Sequence, residues 1–233
     1  MNPVDTALIS VGGQPVWLLP EKAAFLPQTS TLLVADAHIG KGLSFRKLGV
    51  PVPHGTTAET LALLSALIDR SSAKRIVFLG DFLHSARSHG PTTMDTVARW
   101  REAHASLELT LVRGNHDDHA GDPPPRLGIE AVDEPLMHGD LALCHHPVAR
   151  APAYVLAGHL HPGVGLGGRA KDHLRLPCFW FGDDSGALPE CAVGVLPAFG
   201  SFTGMHRIEP RAGDRIFPVA GNVVRAIPAL PIA

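Results

Sequence analysis

The chain has almost no excess of charge of either sign. Its 233 residues include 20 lysines and arginines against 22 aspartates and glutamates, which leaves a formal net charge of -2. The sequence pI is about 6.7. A chain with this balance has no global basic field, so its composition alone does not predict a nucleic-acid-binding protein. This balance of charges is compatible with a local basic groove.

Cysteines and long apolar runs are also scarce. The three cysteines, Cys144, Cys178 and Cys191, form no C-x-x-C pair. They fit neither a disulfide framework nor a thiolate zinc site, and they favour a reducing cytoplasm. The first residues, MNPVDTALIS, lack the pattern of a signal peptide, and no run of about 18 apolar residues occurs. We therefore expect neither export nor a membrane-spanning segment.

Hydrophobic residues make up 45% of the chain, which is enough for a substantial core, and no linker or repeat divides the sequence. We predict one domain over residues 1–233. The chain contains 14 histidines but only one tyrosine, which makes histidine the most informative residue type. Histidine is the side chain most used for metal binding and proton transfer.

Short apolar runs that end in polar residues recur in the first half of the chain, at 31–40, 75–84 and 107–117. Each resembles a buried strand that leads into a loop. Thr56 and Glu59 match a capping box, so we predict a helix over 56–70. A second helix is predicted over 92–105, with Val97, Trp100 and His104 on one face. Strands that alternate with helices predict parallel strands joined by right-handed crossovers.

From residue 141 onwards the pattern becomes β-rich. Strand-like runs separated by Gly and Pro turns predict a mostly antiparallel sheet with no long helix (141–146, 153–159, 174–181, 193–199, 215–220 and 222–227). The run from Gly163 to Gly168 matches G-x-G-x-x-G. No helix is predicted after it, so we expect a flexible turn and not a nucleotide site.

Polar residues with metal-binding chemistry follow five of the predicted strands. In chain order they are Asp36-Ala37-His38, Gly80-Asp81, Gly114-Asn115-His116-Asp117, His145-His146 and Gly158-His159-Leu160-His161. Residues i and i+2 of an extended segment point to the same side, so Asp36 and His38 can bind one ion. The glycine before Asp81 lets the backbone turn close to whatever that carboxylate holds.

Each motif taken alone has a structural explanation, because Asp-x-His and Gly-Asp also occur in caps and turns. The five motifs together do not, since burying so many polar side chains without a cation would leave unpaired groups at a large cost in free energy. We therefore predict a metal centre at the strand ends.

These five blocks resemble the signature motifs of the calcineurin-like metallophosphoesterases. The resemblance covers residues 36 to 161 and implies an α/β fold, a four-layer αββα sandwich of two mixed sheets with flanking helices. It assigns Asp36, His38 and His161 to one metal, Asn115, His145 and His159 to a second, and Asp81 as the bridge. It also implies that His116 contacts the phosphate and that Asp117 orients His116. His84 is a further catalytic candidate and His146 a substrate-binding candidate, although the step in which each acts stays open.

The expected chemistry is hydrolysis of a phosphate ester. Two divalent ions ~3.5–4 Å apart share a water or hydroxide, which attacks phosphorus in line. His116 would stabilise charge or protonate the leaving oxygen. Mixed nitrogen and oxygen donors suit manganese, iron or zinc better than magnesium. Manganese is the expected metal, on the strength of the resemblance.

The segments 45–57, 112–124 and 176–204 resemble a narrower family, the bacterial ligase-associated DNA-damage-response phosphoesterases. This resemblance implies a manganese-dependent endonuclease that acts on DNA, with single strands favoured, beside a ligase and a helicase in repair. Basic residues could line a groove for the nucleic-acid backbone, or they could be ordinary solvated surface; they are Arg46, Lys47, Arg87, Arg113, Arg150, Arg169, Lys171 and Arg175.

Two alternatives stay open. The first is a phosphodiesterase or phosphatase that acts on a small phosphate ester. The second is a non-catalytic scaffold that keeps the fold for partner binding. A scaffold is expected to have lost metal ligands, whereas all of them are present in this sequence.

Overall fold

The protein is described by a computed structural model that covers residues 5–167, 173–182 and 192–227. The segment 7–26, in which no strand was predicted, forms three antiparallel strands at one edge of the first sheet. In this part of the chain the first sheet has the order β1 to β7. Its strands are β1 (Ala7–Val11), β2 (Gln14–Leu18), β3 (Ala24–Leu26), β4 (Thr31–Val34), β5 (Arg75–Leu79), β6 (Glu108–Val112) and β7 (Ile129–Val132).

The strands β4 to β7 pair in parallel, as the strand–helix alternation predicts. Their connections contain the helices α1 (Lys41–Lys47), α2 (Thr56–Ser71), α3 (Pro91–Ala103) and α4 (Asn115–Ala120), and two short 3-10 helices (Ala86–His89 and Pro125–Leu127). None of the helices in the described residues combines the length and the apolar character needed to cross a membrane.

The second sheet is also mixed. Its order is β14-β11-β12-β13-β10-β9-β8, and β15 pairs with β12 and β16. The strands are β8 (Leu136–His138), β9 (Leu141–Leu143), β10 (Tyr154–Ala157), β11 (Pro162–Gly167), β12 (His173–Phe181), β13 (Val193–Val195), β14 (His206–Arg207), β15 (Arg215–Ala220) and β16 (Val223–Val224). β12 forms antiparallel pairs with β11, β13 and β15, whereas β10 pairs in parallel with both β13 and β9.

Two apolar layers hold these elements together. Phe78 and Leu111 of the first sheet pack against Leu64 and Val97 of α2 and α3 on one face. On the other face, residues of the first sheet meet the second sheet in a core that includes Val77 and Phe179. Because both faces of β5 are buried, its sequence is a continuous apolar run without polar alternation. The predicted sandwich of two mixed sheets with flanking helices is confirmed. Among the described residues, the helices α2 and α3 pack against the first sheet.

Two local predictions were wrong. Thr56 is the first residue of α2 and not its cap; Gly55 precedes it with φ 90 and no side-chain cap is made, so no capping box with Glu59 exists. Gly55 has a left-handed backbone, and the helix begins at Thr56, the first residue of the predicted range. The glycine-rich run is not a turn, because 162–167 form strand β11 between β12 and β14. Gly168 lies outside the described residues.

Candidate metal centre

The five sequence motifs lie at neighbouring strand ends. Three of them follow the parallel strands β4, β5 and β6 of the first sheet, and two follow the parallel strands β9 and β10 of the second. The carboxyl ends of neighbouring parallel strands share one edge of a sheet, which is where ligands bind in open α/β folds. The sandwich therefore delivers side chains from both sheets to one place.

The first cluster consists of Asp36, His38 and His161, whose potential ligand atoms all lie within 4.8 Å of one another. The Nε2 atom of His161 is 3.5 Å from Oδ1 of Asp36. The other ring nitrogen of His161, Nδ1, donates to the carbonyl of Gly204 at 3.1 Å. This hydrogen bond fixes the tautomer and turns the lone pair of Nε2 toward the cluster, as is usual for metal-binding histidines.

The second cluster consists of Asn115, His145 and His159. The Nε2 atom of His145 lies 2.9 Å from Oδ1 of Asn115 and 3.0 Å from Nδ1 of His159. His145 donates from Nδ1 to the carbonyl of Leu79 at 3.1 Å, so that its Nε2 also faces the cluster. The ring nitrogens of His145, His146 and His159 lie within 4.8 Å of one another, which makes His146 a further candidate ligand.

Asp81 lies between the two clusters. Its Oδ1 is 3.6 Å from Nε2 of His145, and its Oδ2 is 3.9 Å from Nε2 of His38. The backbone N–H of His116 donates to Oδ1 at 2.9 Å. Burial raises the pKa of Asp81. A carboxylate with one oxygen toward each cluster is suited to bridge two cations.

The side chains present fit the binding of metal ions. In the described part of the chain, both ring nitrogens of His38 and the Nε2 of His161 are buried without a hydrogen-bond partner. Burial lowers the pKa of His38, His145 and His159, which keeps these rings in the neutral form that binds metals. Unpartnered buried nitrogens are costly in free energy, and bound cations would satisfy them.

The backbone at the strand ends is strained. Nine residues other than glycine have positive φ in the described residues, and five of them are predicted ligands: Asp36, His38, Asp81, His159 and His161. The expectation that Asp36 and His38 share an extended segment was therefore wrong, because their φ values are 52 and 46. Left-handed residues of this kind cost about 1–3 kcal/mol each and concentrate at functional sites.

Two glycines of the motifs make room for ligands. A Cβ on Gly80 would overlap the ring of His145, and one on Gly114 would lie 2.5 Å from Oδ1 of Asp81. Gly80 also has φ 79. The sequence predicts a close approach at Gly80, but the structure identifies the neighbour as the ring of a second-sheet histidine.

His116 lies at the open side of the site, with 38% of its side chain exposed and its Nε2 3.9 Å from Oδ2 of Asp81. Its Nδ1 donates to the carbonyl of His84 at 2.8 Å, and the two rings stack with centroids 5.1 Å apart. Burial lowers the pKa of His84 to about 4, with a further contribution from Lys41. Its Nδ1 has no hydrogen-bond partner in the described residues.

The expectation that Asp117 orients the ring of His116 was wrong. The carboxylate is buried and accepts hydrogen bonds from the backbone N–H groups of Gly114 (3.0 Å), Leu83 (3.2 Å) and Phe82 (3.4 Å). Asp117 thus ties the loop after β5 to the turn after β6. Burial raises its pKa to about 6, although these hydrogen bonds oppose the shift.

The predicted substrate-binding residues differ in their availability. Arg113 donates to the carboxylates of Asp122 and Asp133 at 2.8 Å, which ties its guanidinium to acidic partners. Arg46 donates to the carbonyl of Pro53 at 2.6 Å and stabilises a loop. Arg87 is exposed, and its side chain makes no hydrogen bond or ion pair with any described residue. Of the other basic residues, Arg169 and Lys171 lie outside the described part.

Two functional neighbours have no motif that would identify them in the sequence. Glu134 accepts hydrogen bonds from the backbone N–H groups of His145 and His146, both at 2.9 Å, and from the ring of His146 at 3.2 Å. It therefore holds the second-sheet loop in place. Lys41 follows His38 by three residues. Burial lowers its pKa, while the carboxylates of Asp36 and Asp81 oppose this shift, which places a cation beside the clusters.

Comparison with known proteins agrees with this geometry. Residues 29–142 match the profile of the family described as calcineurin-like phosphoesterase. The nuclease MPE of Pseudomonas putida has a similar solved structure, with 39% identity, a TM-score of 0.80, and coverage of 96% of this chain and 100% of that one. The phosphoesterase Yfce from E. coli is much more distant, at 18% identity and a TM-score of 0.34 over 69% of this chain and 84% of that one. No curated protein sequence matches the chain.

The fold and the ligand clusters define a metal-dependent phosphoesterase. The chain belongs to the calcineurin-like phosphoesterase family.

Proposed function

We propose that this protein is a manganese-dependent endonuclease that cleaves single-stranded DNA in the cytoplasm, as part of DNA repair beside a ligase and a helicase. The observation that carries the proposal is the complete set of seven ligand side chains at one edge of a chain that is 39% identical to the nuclease MPE. Buried histidine nitrogens without hydrogen-bond partners are explained by metal binding and not by a non-catalytic scaffold.

Seven side chains of the chain would bind the two metal ions needed for hydrolysis. Asp36, His38 and His161 would hold one ion, Asn115, His145 and His159 the other, and Asp81 both. When bound, two divalent ions lower the pKa of water, which provides a nucleophile near neutral pH, and neutralise charge on the phosphate. Mixed nitrogen and oxygen donors favour manganese over magnesium.

His116 would act on the leaving group. Its Nδ1–H is held by the carbonyl of His84, so Nε2, which lies 3.9 Å from Oδ2 of Asp81, is the nitrogen available to the substrate. A proton on Nε2 can be given to the departing oxygen, a step worth about 10²–10⁴ in rate for a well-placed acid. The stacked ring of His84 keeps His116 in this orientation.

The test is nicking of circular single-stranded DNA by the purified protein across a manganese titration, with Asp81→Asn in parallel. We expect metal-dependent cleavage by the wild type alone. If the DNA stays intact while an aryl phosphodiester is hydrolysed, the enzyme acts on a small phosphate ester and the nuclease assignment is wrong. If neither substrate is cut and no metal is bound, the scaffold alternative replaces both.

A further inference from the structure

A hollow of about 210 Å³ opens directly beside the first cluster. Its lining includes His161, Lys22, Gly200, Ser201, Phe202 and Thr203. Phe202 also borders a narrower cleft that contains His38 and Lys41. Phe202 therefore borders both hollows, each of which has one histidine of the first cluster and one lysine in its wall.

The loop that carries Phe202 is anchored to the predicted metal ligands. The backbone N–H groups of Phe199 and Gly200 donate to the carbonyls of Ala35 (2.8 Å) and Asp36 (3.1 Å). At the other end of the loop, the carbonyl of Gly204 accepts the hydrogen bond from His161. The backbone on both sides of Phe202 is thus tied to the site, which limits the freedom that this loop loses when a ligand binds.

Phe202 is both exposed and strained. The residue is 49% accessible to solvent, and its φ is 60. No aromatic ring contacts it among the described residues. Of the nine non-glycine residues with positive φ in the described chain, five are predicted ligands and two more are Lys22 and Phe202.

Lys22 supplies a cation at the base of the hollow. Its ammonium donates to the carbonyl of Phe199 at 2.9 Å, and no carboxylate pairs with it in the described residues. An ammonium group has three donors, so this hydrogen bond leaves donors for an anion. Burial lowers the pKa of Lys22 to about 8, a cost that a bound anion would offset.

We propose that Phe202 and Lys22 form a subsite for the nucleotide next to the scissile phosphodiester, in which the base stacks on Phe202 and Lys22 pairs with the phosphate. This inference rests on the proposed nuclease function and gives a reason for its preference for single strands. The faces of bases are covered by their neighbours in a duplex, whereas in a single strand they are free to stack on an aromatic side chain.

The test compares kcat/KM for single-stranded oligonucleotides among Phe202→Asn, Phe202→Trp and the wild type. Asparagine tolerates the left-handed backbone, so Phe202→Asn removes the ring without adding strain. We expect Phe202→Asn to lower kcat/KM about 5- to 150-fold and Phe202→Trp to preserve it. Leu8→Asn is the matched control, because Leu8 is a similarly exposed apolar residue (54%) on the edge strand β1.

An oligonucleotide with abasic residues on both sides of the cleavage site separates stacking from other effects. The wild type should lose rate on this substrate, and Phe202→Asn should add no further loss, because both changes remove the same contact. An equal further loss would show that Phe202 acts through the fold and would overturn the proposal. Unchanged manganese content in each variant confirms that the clusters are intact.

The phosphate contact is tested separately with Lys22→Gln. We measure binding of a labelled oligonucleotide by fluorescence anisotropy at several salt concentrations, in a His116→Ala background that slows cleavage. Loss of one phosphate contact should reduce the slope of log affinity against log salt by about 0.7 for a single strand. If the wild type cleaves single strands but neither variant differs from it, the subsite is wrong and the nuclease function stands. If the wild type neither binds nor cleaves single strands, both are wrong.

Discussion

At the scale of the residue, the two sheets approach so closely at the site that a single methyl group should disrupt it. In Gly80→Ala the new Cβ would overlap the ring of His145 and the backbone would keep an unfavourable positive φ. We expect loss of bound manganese and a fall in kcat/KM of at least about 10²-fold, since small displacements of catalytic groups have effects of this size. Metal analysis and kinetics of the purified variant give the measurement.

Gly165→Ala is the control for this experiment. Gly165 lies in β11, and no atom lies within 4 Å of the position that its Cβ would take. The control should match the wild type in metal content and rate. Equal behaviour of the two variants would mean that the packing of His145 against Gly80 does not shape the site.

His116 should affect the chemical step and not the binding of metal. Its ring is exposed on the open side and lies 3.9 Å from Asp81 through Nε2. We expect His116→Ala to lower kcat by about 10²–10⁴ while manganese content stays at the wild-type level. A substrate with a much better leaving group, such as a nitrophenyl ester, should recover most of this loss. Loss of metal in the variant would instead identify His116 as a ligand.

Lys22 should make stability depend on pH. Burial lowers its pKa from 10.5 in the unfolded chain to about 8 in the folded one. Between these values the unfolded chain binds more protons, so the free energy of unfolding rises with pH. The free-energy penalty of burying the charged lysine is fully present below pH 8. Relative to Lys22→Met, the wild type should gain about 3 kcal/mol across this range. Urea unfolding of both proteins at a series of pH values measures the difference, and parallel curves would contradict it.

A metal centre at the strand ends was predictable from residue type and spacing, because few other uses exist for five such motifs after strands, and the family resemblance assigned its individual ligands. Their conformation was not. The left-handed backbones of Asp36 and His38 arise from contacts with distant segments, such as the hydrogen bond from the N–H of His38 to the carbonyl of Asp81 at 2.8 Å. Local sequence does not encode such contacts. Glu134 and Lys41 were missed for the same reason.

At the scale of the element, the helices on the first sheet depend on burial and not on capping. Leu64 is fully buried between α2 and the sheet. We expect Leu64→Ala to lower the free energy of unfolding by about 2–5 kcal/mol, with kcat unchanged in the folded protein. Chemical denaturation and steady-state kinetics together give the result.

Glu59→Ala on the same helix is the comparison. Glu59 is exposed and makes no capping box, so its loss should change stability by less than about 0.5 kcal/mol. A loss of about 1 kcal/mol or more would show that a cap operates at this end of α2.

The boundaries of both long helices were predicted to within two residues, because apolar periodicity follows the buried face of a helix.

Strands were harder to predict than helices. The runs at β4, β5 and β6 stand out because both faces are buried. The direction of β9, β10 and β13 does not follow from the sequence, since strands of three or four buried residues carry no alternation that distinguishes parallel from antiparallel pairing. The first two strands have mixed burial and the third has only three residues, so none of them had a clear strand pattern.

At the scale of the whole molecule, the sandwich explains why the site needs both halves of the chain. The first sheet provides Asp36, His38, Asp81 and Asn115, and the second provides His145, His159 and His161. Each candidate metal would have ligands from both sheets, so binding of metal should couple the packing of the two sheets. The α/β first half and the β-rich second half were predictable from the change of pattern near residue 141. The two-sheet sandwich was implied by the family resemblance, and the contact between the sheets required the structure.

The central claim is that these residues hold two neighbouring metal ions with Asp81 between them. Titration of the metal-free protein with manganese, followed by electron paramagnetic resonance, tests it most directly. We predict two ions per chain and the spectrum of a spin-coupled pair, with the coupling lost in Asp81→Asn. A single ion per chain, or a coupled spectrum that survives in Asp81→Asn, would contradict the account.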